Sequence, residues 1–181
     1  MLNIANLITF SRIALTPVVI FLMTQNLWDK AFLVFMIAAL TDVLDGFVAR
    51  RLNQENKFGK ILDPIADKIL FGSVMIVLLY AVHDQQLLFF TLSFLIAKEI
   101  ILLVGGGVLW FGYQKFIQPS KLSRKVSFCE FGFMLMIMIN QVDYFYVPAS
   151  MMHVFVIINI ALSSKLLILY ARKVFIHADI A

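Results

Sequence analysis

The sequence predicts an all-α membrane protein of six transmembrane helices, and three observations predict it: composition, the lengths of the apolar runs, and where the charges fall. Of 181 residues, 62% are hydrophobic and only 14% charged, and mean hydropathy is +0.93. Soluble domains are about half apolar and a quarter charged, so this composition belongs in a bilayer. A membrane-crossing helix needs about 20 mostly apolar residues. Six stretches supply them, near 5–24, 30–50, 61–82, 86–112, 124–141 and 147–172.

Each interruption has a local cause. Asn26 to Lys30 is polar, Arg51 to Lys57 is charged, and His83 to Gln86 is polar. Tyr113 to Ser123 contains Pro119 and two lysines, and Asp143 to Pro148 reads as a turn. No soluble domain, repeat or low-complexity tract is visible, so residues 1–181 read as one membrane domain. The first apolar run has no basic stretch before it and is interrupted by Arg12; it is expected to be a retained helix rather than a signal peptide. A single cysteine, Cys129, excludes an intrachain disulfide framework and a cysteine metal site.

The formal charge is +4, but the cations sit in short connections between apolar runs, as they do beside membranes, which argues against a nucleic-acid partner. Arg50, Arg51, Lys57 and Lys60 flank the second connection, and Lys115, Lys121, Arg124 and Lys125 the fourth; Arg172 and Lys173 lie in the tail. Among them the odd-numbered connections hold only Lys30. With an even number of spans, the positive-inside rule places both termini in the cytoplasm. Chemistry beside the second connection then faces the same side.

Four carboxylates stand out against this apolar background. Asp42 and Asp45 fall near the end of the second predicted helix, and Asp63 and Asp67 near the start of the third. An ionisable side chain at membrane depth costs a few kcal/mol on insertion scales, so it is a functional candidate by default. Spacings of three and four put each pair on one helix face. Joined by a short basic connection, the two helices are expected to be antiparallel neighbours with the pairs facing each other. Bound cations would offset the repulsion, and hard oxygen ligands select Mg²⁺ or Mn²⁺, with Ca²⁺ as a competitor. Two such ions about 4 Å apart would clamp the attacking and leaving oxygens of a phosphoryl displacement.

The alternative is structural: helix-end ion pairs with Arg50, Arg51 and Lys68. It leaves the small residues unexplained. Gly46, next to Asp45, would let a ligand approach the backbone closely, and Ala49 keeps the next turn narrow. Arg50 offers a planar fork for phosphate oxygens. Gly59 suits the turn into the third helix, and Pro64 suits a first helical turn.

Together these residues spell D-x2-D-G-x2-A-R-x8-G-x3-D-x3-D, filled by Asp42, Asp45, Gly46, Ala49, Arg50, Gly59, Asp63 and Asp67. The motif resembles, at all eight fixed positions, the signature of the CDP-alcohol phosphatidyltransferases. Asn6, Thr9 and Arg12 resemble that family's N-x2-T-x2-R pattern in the first helix. Chain length, six spans and the motif's place between helices two and three fit the same resemblance. It implies that Asp42, Asp45 and Asp63 hold one divalent ion (Mg²⁺ or Mn²⁺), and Asp42, Asp63 and Asp67 a second. Asp67 would also act as general base toward the acceptor hydroxyl. Gly46 and Arg50 would contact the CDP-lipid, with Asn6 helping to position it. The implied donor is CDP-diacylglycerol, the implied setting a bacterial-type cytoplasmic membrane, and the resemblance leaves room for a homodimer.

The run Phe58 to Lys68, with Asn53, resembles the branch of the family that uses glycerol 3-phosphate. Its phosphate would need cations, for which Lys98, Lys121, Arg124 and Lys125 are the candidates. That branch shows G-K-x-K-T-x-x-Q at the start of the fifth helix, whereas this chain reads Ser123-Arg124-Lys125-Val126-Ser127-Phe128-Cys129-Glu130. Val126 stands for the second lysine and Glu130 for the glutamine. Cardiolipin synthases of the family also lack that lysine, which makes phosphatidylglycerol the nearest alternative acceptor, ahead of amino-alcohol or inositol-phosphate acceptors.

Other features read as packing. Gly105, Gly106 and Gly107 lie inside an apolar span, where close helix approach explains them better than a phosphate cradle. His83, His153 and His177 lack metal-ligand spacing. Lys165, mid-way along the last span, either reaches toward the interface or pairs with Glu130. Two rival functions also place carboxylates in a membrane. A cation-coupled transporter would show repeat symmetry and broken helices, and neither is visible. An intramembrane prenyltransferase would lack the Gly46 and Ala49-Arg50 arrangement and would have more spans.

Overall fold

The computed structural model describes residues 4–52, 57–113, 121–142 and 146–178, with side chains over 11–41, 66–107, 122–142 and 146–172. Six helices follow in order: α1 (Ile4–Thr24), α2 (Trp28–Leu52), α3 (Lys57–Ala81), α4 (Gln86–Tyr113), α5 (Lys121–Asn140) and α6 (Ala149–Ala178). No strand occurs among the described residues. Within the described residues, Gln86–Gly107 and Ala149–Arg172 are long and apolar enough to cross a membrane, and Ser11–Thr24 is a shorter apolar stretch. Ionic residues fall on the other helices: aspartates on α2 and α3, and Arg124, Lys125 and Glu130 on α5.

Helix ends have local causes. At the end of α1, Leu27 N–H bonds to Leu22 O at 2.9 Å and Asn26 N–H to Met23 O at 3.0 Å. Asn26 has φ 57°, the left-handed conformation of a Schellman cap, which asparagine tolerates better than most residues. Gln85 N–H bonds to Val82 O at 2.9 Å before α4, and its own carbonyl accepts from Phe89 N–H at 2.9 Å. Pro148 begins α6 by accepting from Met151 and Met152; as a proline it has no donor to lose.

One expectation is corrected. Pro64 does not sit in a first helical turn, because α3 starts at Lys57 and already includes Gly59. A proline inside a helix leaves the carbonyl four residues earlier, that of Lys60, without its helical donor. Pro17 does the same within α1.

Contacts divide the chain into two compact units: residues 1–78 with 138–146, and residues 79–137 with 147–181. In the first, Val19 and Met23 of α1 and Ala31, Phe35 and Ala38 of α2 are buried. Phe35 meets Phe71 of α3 edge to face, centroids 5.9 Å apart, an arrangement favoured by the ring quadrupoles. In the second unit, Leu92 and Leu95 of α4, Val126 and Phe133 of α5, and Val156 and Leu166 of α6 are buried. The outer faces of both units remain apolar: Phe21, Leu33 and Ile76 in the first, and Phe90, Val104 and Ile157 in the second, are each at least 60% exposed. So many exposed large apolar side chains suit lipid rather than water.

Gly105 shows why one glycine of the triplet is needed. A Cβ placed there would lie 2.9 Å from Tyr170 Cε1, and the Tyr170 hydroxyl donates to Leu102 O at 3.4 Å. The Tyr170 ring therefore lies directly over the α4 backbone. Gly105→Val is expected to destabilise the protein by about 1–3 kcal/mol through overpacking. Thermal melting in detergent should show that the same substitution costs much less in a Tyr170→Ala background.

Candidate active site

The aspartate pairs are held by two uninterrupted helices. Asp42 and Asp45 lie on the second half of α2, and Asp63 and Asp67 on the first half of α3. The Phe35–Phe71 contact joins these helices about two turns before Asp42 and one turn after Asp67. Both pairs thus lie on the stretches running from that contact toward the 53–56 connection. The side chains of Asn6, Asp42, Asp45, Gly46, Arg50 and Asp63 fall outside the described residues.

Asp67 is described. It is half-buried, and Arg12 Nη1 donates to its Oδ1 at 2.5 Å, with only 1% of the arginine side chain exposed. One turn beyond, Thr16 Oγ donates to the Arg12 carbonyl at 2.9 Å. An arginine in apolar surroundings is tolerated only when its charge is compensated. Arg12 therefore ties α1 to the acidic end of α3 and fixes the position of one Asp67 oxygen.

The second unit holds a separate ionic cluster. The Lys98 side chain is 1% exposed; its ammonium donates to Glu130 Oε1 and lies 2.8 Å from Glu99 Oε1. Ser163 Oγ donates to the same Glu130 oxygen at 3.1 Å. Residues of α4, α5 and α6 thus meet at one carboxylate. Of the four cations expected for an acceptor phosphate, the Lys121 side chain falls outside the described residues, Lys98 is buried between two carboxylates, and Arg124 and Lys125 are exposed on the first two turns of α5. They open onto a groove of about 540 Å³ lined by Arg124, Lys125, Phe128, Cys129 and Leu162. Lys165 is exposed and Glu130 is engaged elsewhere, so the last span's lysine reaches outward.

As for metal, no group of three or more ligating side chains occurs among the described residues. The donor set itself fits a hard divalent ion: four carboxylates at helical spacing on two joined helices, with no thiol and no imidazole in the motif.

The family model described as CDP-alcohol phosphatidyltransferase matches residues 2–174. The chain belongs to that family. CDP-alcohol phosphatidyltransferases are membrane-embedded and generally depend on divalent metal, and the two long apolar helices agree with membrane association. Among similar proteins, a CDP-diacylglycerol--glycerol-3-phosphate 3-phosphatidyltransferase of Aquifex aeolicus is 36% identical over 106 residues, 58% of each chain. One of Pseudomonas fluorescens is 43% identical over 104 residues, 55% of this chain and 52% of that one. A cardiolipin synthase (CMP-forming) of Rattus norvegicus is 35% identical over 128 residues, 70% of this chain and 41% of that one. The alignments span less than two thirds of these relatives' own lengths.

Two contacts could not be read from sequence spacing. Arg12 was visible as part of a pattern, but its bond to Asp67 crosses 55 positions. Lys98 was visible as a cation for the acceptor phosphate, and its bond to Glu130 crosses 32 positions.

The buried pair makes a direct stability prediction. Lys98→Met leaves Glu130 buried without its cation and is expected to cost about 3–5 kcal/mol, whereas Lys98→Met with Glu130→Met should recover most of the loss. Denaturation of the detergent-solubilised protein, wild type against single and double variants, measures both.

Proposed function

We propose that the protein transfers the phosphatidyl group of CDP-diacylglycerol to glycerol 3-phosphate, releasing CMP and forming phosphatidylglycerophosphate. The observation that carries this reading is the complete eight-position motif on α2 and α3, in a chain that matches the family from residue 2 to residue 174. Relatives named for glycerol 3-phosphate as acceptor support the substrate. The family match runs through both compact units, which supports treating residues 1–181 as one functional domain.

In this reading all six helices cross the membrane, with both termini and the aspartates on the cytoplasmic side, as the distribution of basic residues suggests. Asp42, Asp45, Asp63 and Asp67 would hold two divalent ions, which when bound supply charge neutralisation at the transferring phosphate. Gly46 and Arg50 would receive the CDP end of the donor, with Asn6 on α1 assisting. The acceptor hydroxyl attacks the phosphorus that carries diacylglycerol. A new oxygen–phosphorus bond forms, the bond from that phosphorus to the CMP oxygen breaks, and the hydroxyl proton passes to Asp67. Arg12, by fixing one oxygen of Asp67, would orient the carboxylate for that transfer. Arg124 and Lys125, both exposed, would meet the acceptor phosphate; Lys98 would act indirectly, through the node that it forms with Glu130.

Val126 favours a second reading. It stands where glycerol 3-phosphate enzymes carry a lysine, and it is buried, 1% exposed. A site with fewer cations suits a monoanionic phosphodiester such as phosphatidylglycerol, and similarity to a cardiolipin synthase is in keeping with that acceptor.

Two tests follow. Asp42→Asn, Asp45→Asn and Asp63→Asn should each abolish CMP release from CDP-diacylglycerol while the protein still inserts in the membrane. EDTA should stop the wild type, and Mg²⁺ or Mn²⁺ should restore it; full turnover in chelator would overturn the metal-dependent mechanism. Arg124→Glu should raise the KM for glycerol 3-phosphate about tenfold or more, since a hydrogen bond to a charged group contributes about 1.5–3 kcal/mol. The KM for CDP-diacylglycerol should hardly change. A wild type that uses phosphatidylglycerol and ignores glycerol 3-phosphate would replace the first reading with the second.

A further inference from the structure

Arg12 is the one charged residue in the 21 of α1, so its own helix offers it no counter-charge. Its side chain is among the largest that are fully buried, 1% exposed, and the partner it finds is Asp67 of α3, at 2.5 Å. The Asp67 side chain is 35% exposed. The pair is therefore closed on the arginine side and open on the carboxylate side. A guanidinium keeps its proton at any pH a protein survives, so the charge behind Asp67 is permanent. Its backbone is held as well, since the Arg12 carbonyl accepts from Thr16 Oγ at 2.9 Å.

We infer that Arg12 is a built-in counter-ion of the aspartate site and sets how tightly the second divalent ion, the one given to Asp67, is bound. The inference deepens the metal reading of Asp42, Asp45, Asp63 and Asp67 and rests on it. One carboxylate is shared between a fixed cation and an exchangeable one. The four carboxylates less one guanidinium carry three negative charges, so a first divalent ion leaves one of them to attract the second. Without Arg12 it would leave two.

Arg12 acts through Asp67 and is a tuning residue rather than a catalytic one. Its effect falls mainly on the ion that Asp67 helps to hold, because the other ion is given to Asp42, Asp45 and Asp63. Between ion departures the same guanidinium still offsets part of the repulsion among the carboxylates, so α1 and α3 stay joined. The trade is a looser second ion in exchange for a site that persists without it.

The test uses the full chain in detergent without lipid substrate, titrated with Mn²⁺, the free aquo-ion being read by electron paramagnetic resonance. The wild type should bind two ions, one more weakly. Arg12→Gln, whose amide can still donate to Asp67 but carries no charge, should tighten the weaker site about tenfold or more, the scale expected for one charge acting on a divalent ion a few ångströms away in a partly solvated site. The stronger site should change much less. Arg12→Lys, which keeps the charge and loses the planar fork, should resemble the wild type. Thermal melts give a second readout: Mn²⁺ should raise the Tm of Arg12→Gln more than that of the wild type, since tighter binding to the folded chain stabilises it more. Arg12→Met removes the same charge and takes the place of Arg12→Gln if that variant does not fold. An unchanged or weakened second site in the neutral variants, or equal tightening in Arg12→Lys, would overturn the inference while two-ion binding by the wild type leaves the metal reading standing. A wild type that binds no Mn²⁺ removes both, and CMP release that persists in chelator shows that second failure independently.

Discussion

Charge compensation inside an apolar molecule is the constraint on which the rest of this structure depends. Most of the chain gains by leaving water, so almost any apolar packing would serve; the ionic side chains are far less tolerant. An unpaired buried charge is destabilising enough to dictate its neighbours. Arg12 requires Asp67 and thereby joins α1 to α3. Lys98 requires Glu130 and thereby joins α4 to α5, with Ser163 bringing in α6. In each compact unit an ionic contact specifies which helices meet. Apolar contacts such as Phe35 with Phe71 then fill the interface.

The helices were legible in the sequence because their ends are marked by local chemistry. The polar segment at Asn26, the break before Gln86 and Pro148 each act through hydrogen bonds within a few residues, and the observed ends fall within four residues of the expected spans at every terminus except the end of α6. There the helix continues to Ala178 through Arg172 and Lys173. Span length measures apolar content, whereas a helix runs on wherever the backbone bonds continue. The same distinction explains α3, which begins in the charged stretch at Lys57 and takes Pro64 into its interior.

The site was legible to the extent that it is encoded in spacing. Carboxylates three and four apart share a helix face whatever the tertiary structure, so Asp42 with Asp45 and Asp63 with Asp67 could be paired from sequence. Partners on different helices could not. Lys165 was the one lysine offered to Glu130 from sequence, and only the packing of α4 beside α5 gives the carboxylate Lys98 instead. For the same reason a lysine that looked available for a phosphate turns out to be committed: burial and two carboxylates change what the residue can do without changing its identity.

That commitment connects stability to chemistry. Compared with the G-K-x-K-T-x-x-Q pattern, this chain has exchanged a lysine for Val126 and a glutamine for Glu130, so one cation is lost and one anion gained along a single turn of α5. Val126 is buried, where a lysine would need a partner of its own, and Glu130 finds its counter-charge in Lys98. Read together, the two exchanges are complementary. A lysine at 126 would compete with Lys98 for Glu130, because positions four apart share a helix face, whereas valine leaves the carboxylate to the α4 lysine. The local change in charge is thus absorbed by a buried bond between helices, and the cations left exposed at this end of α5, Arg124 and Lys125, are the ones able to meet a phosphate.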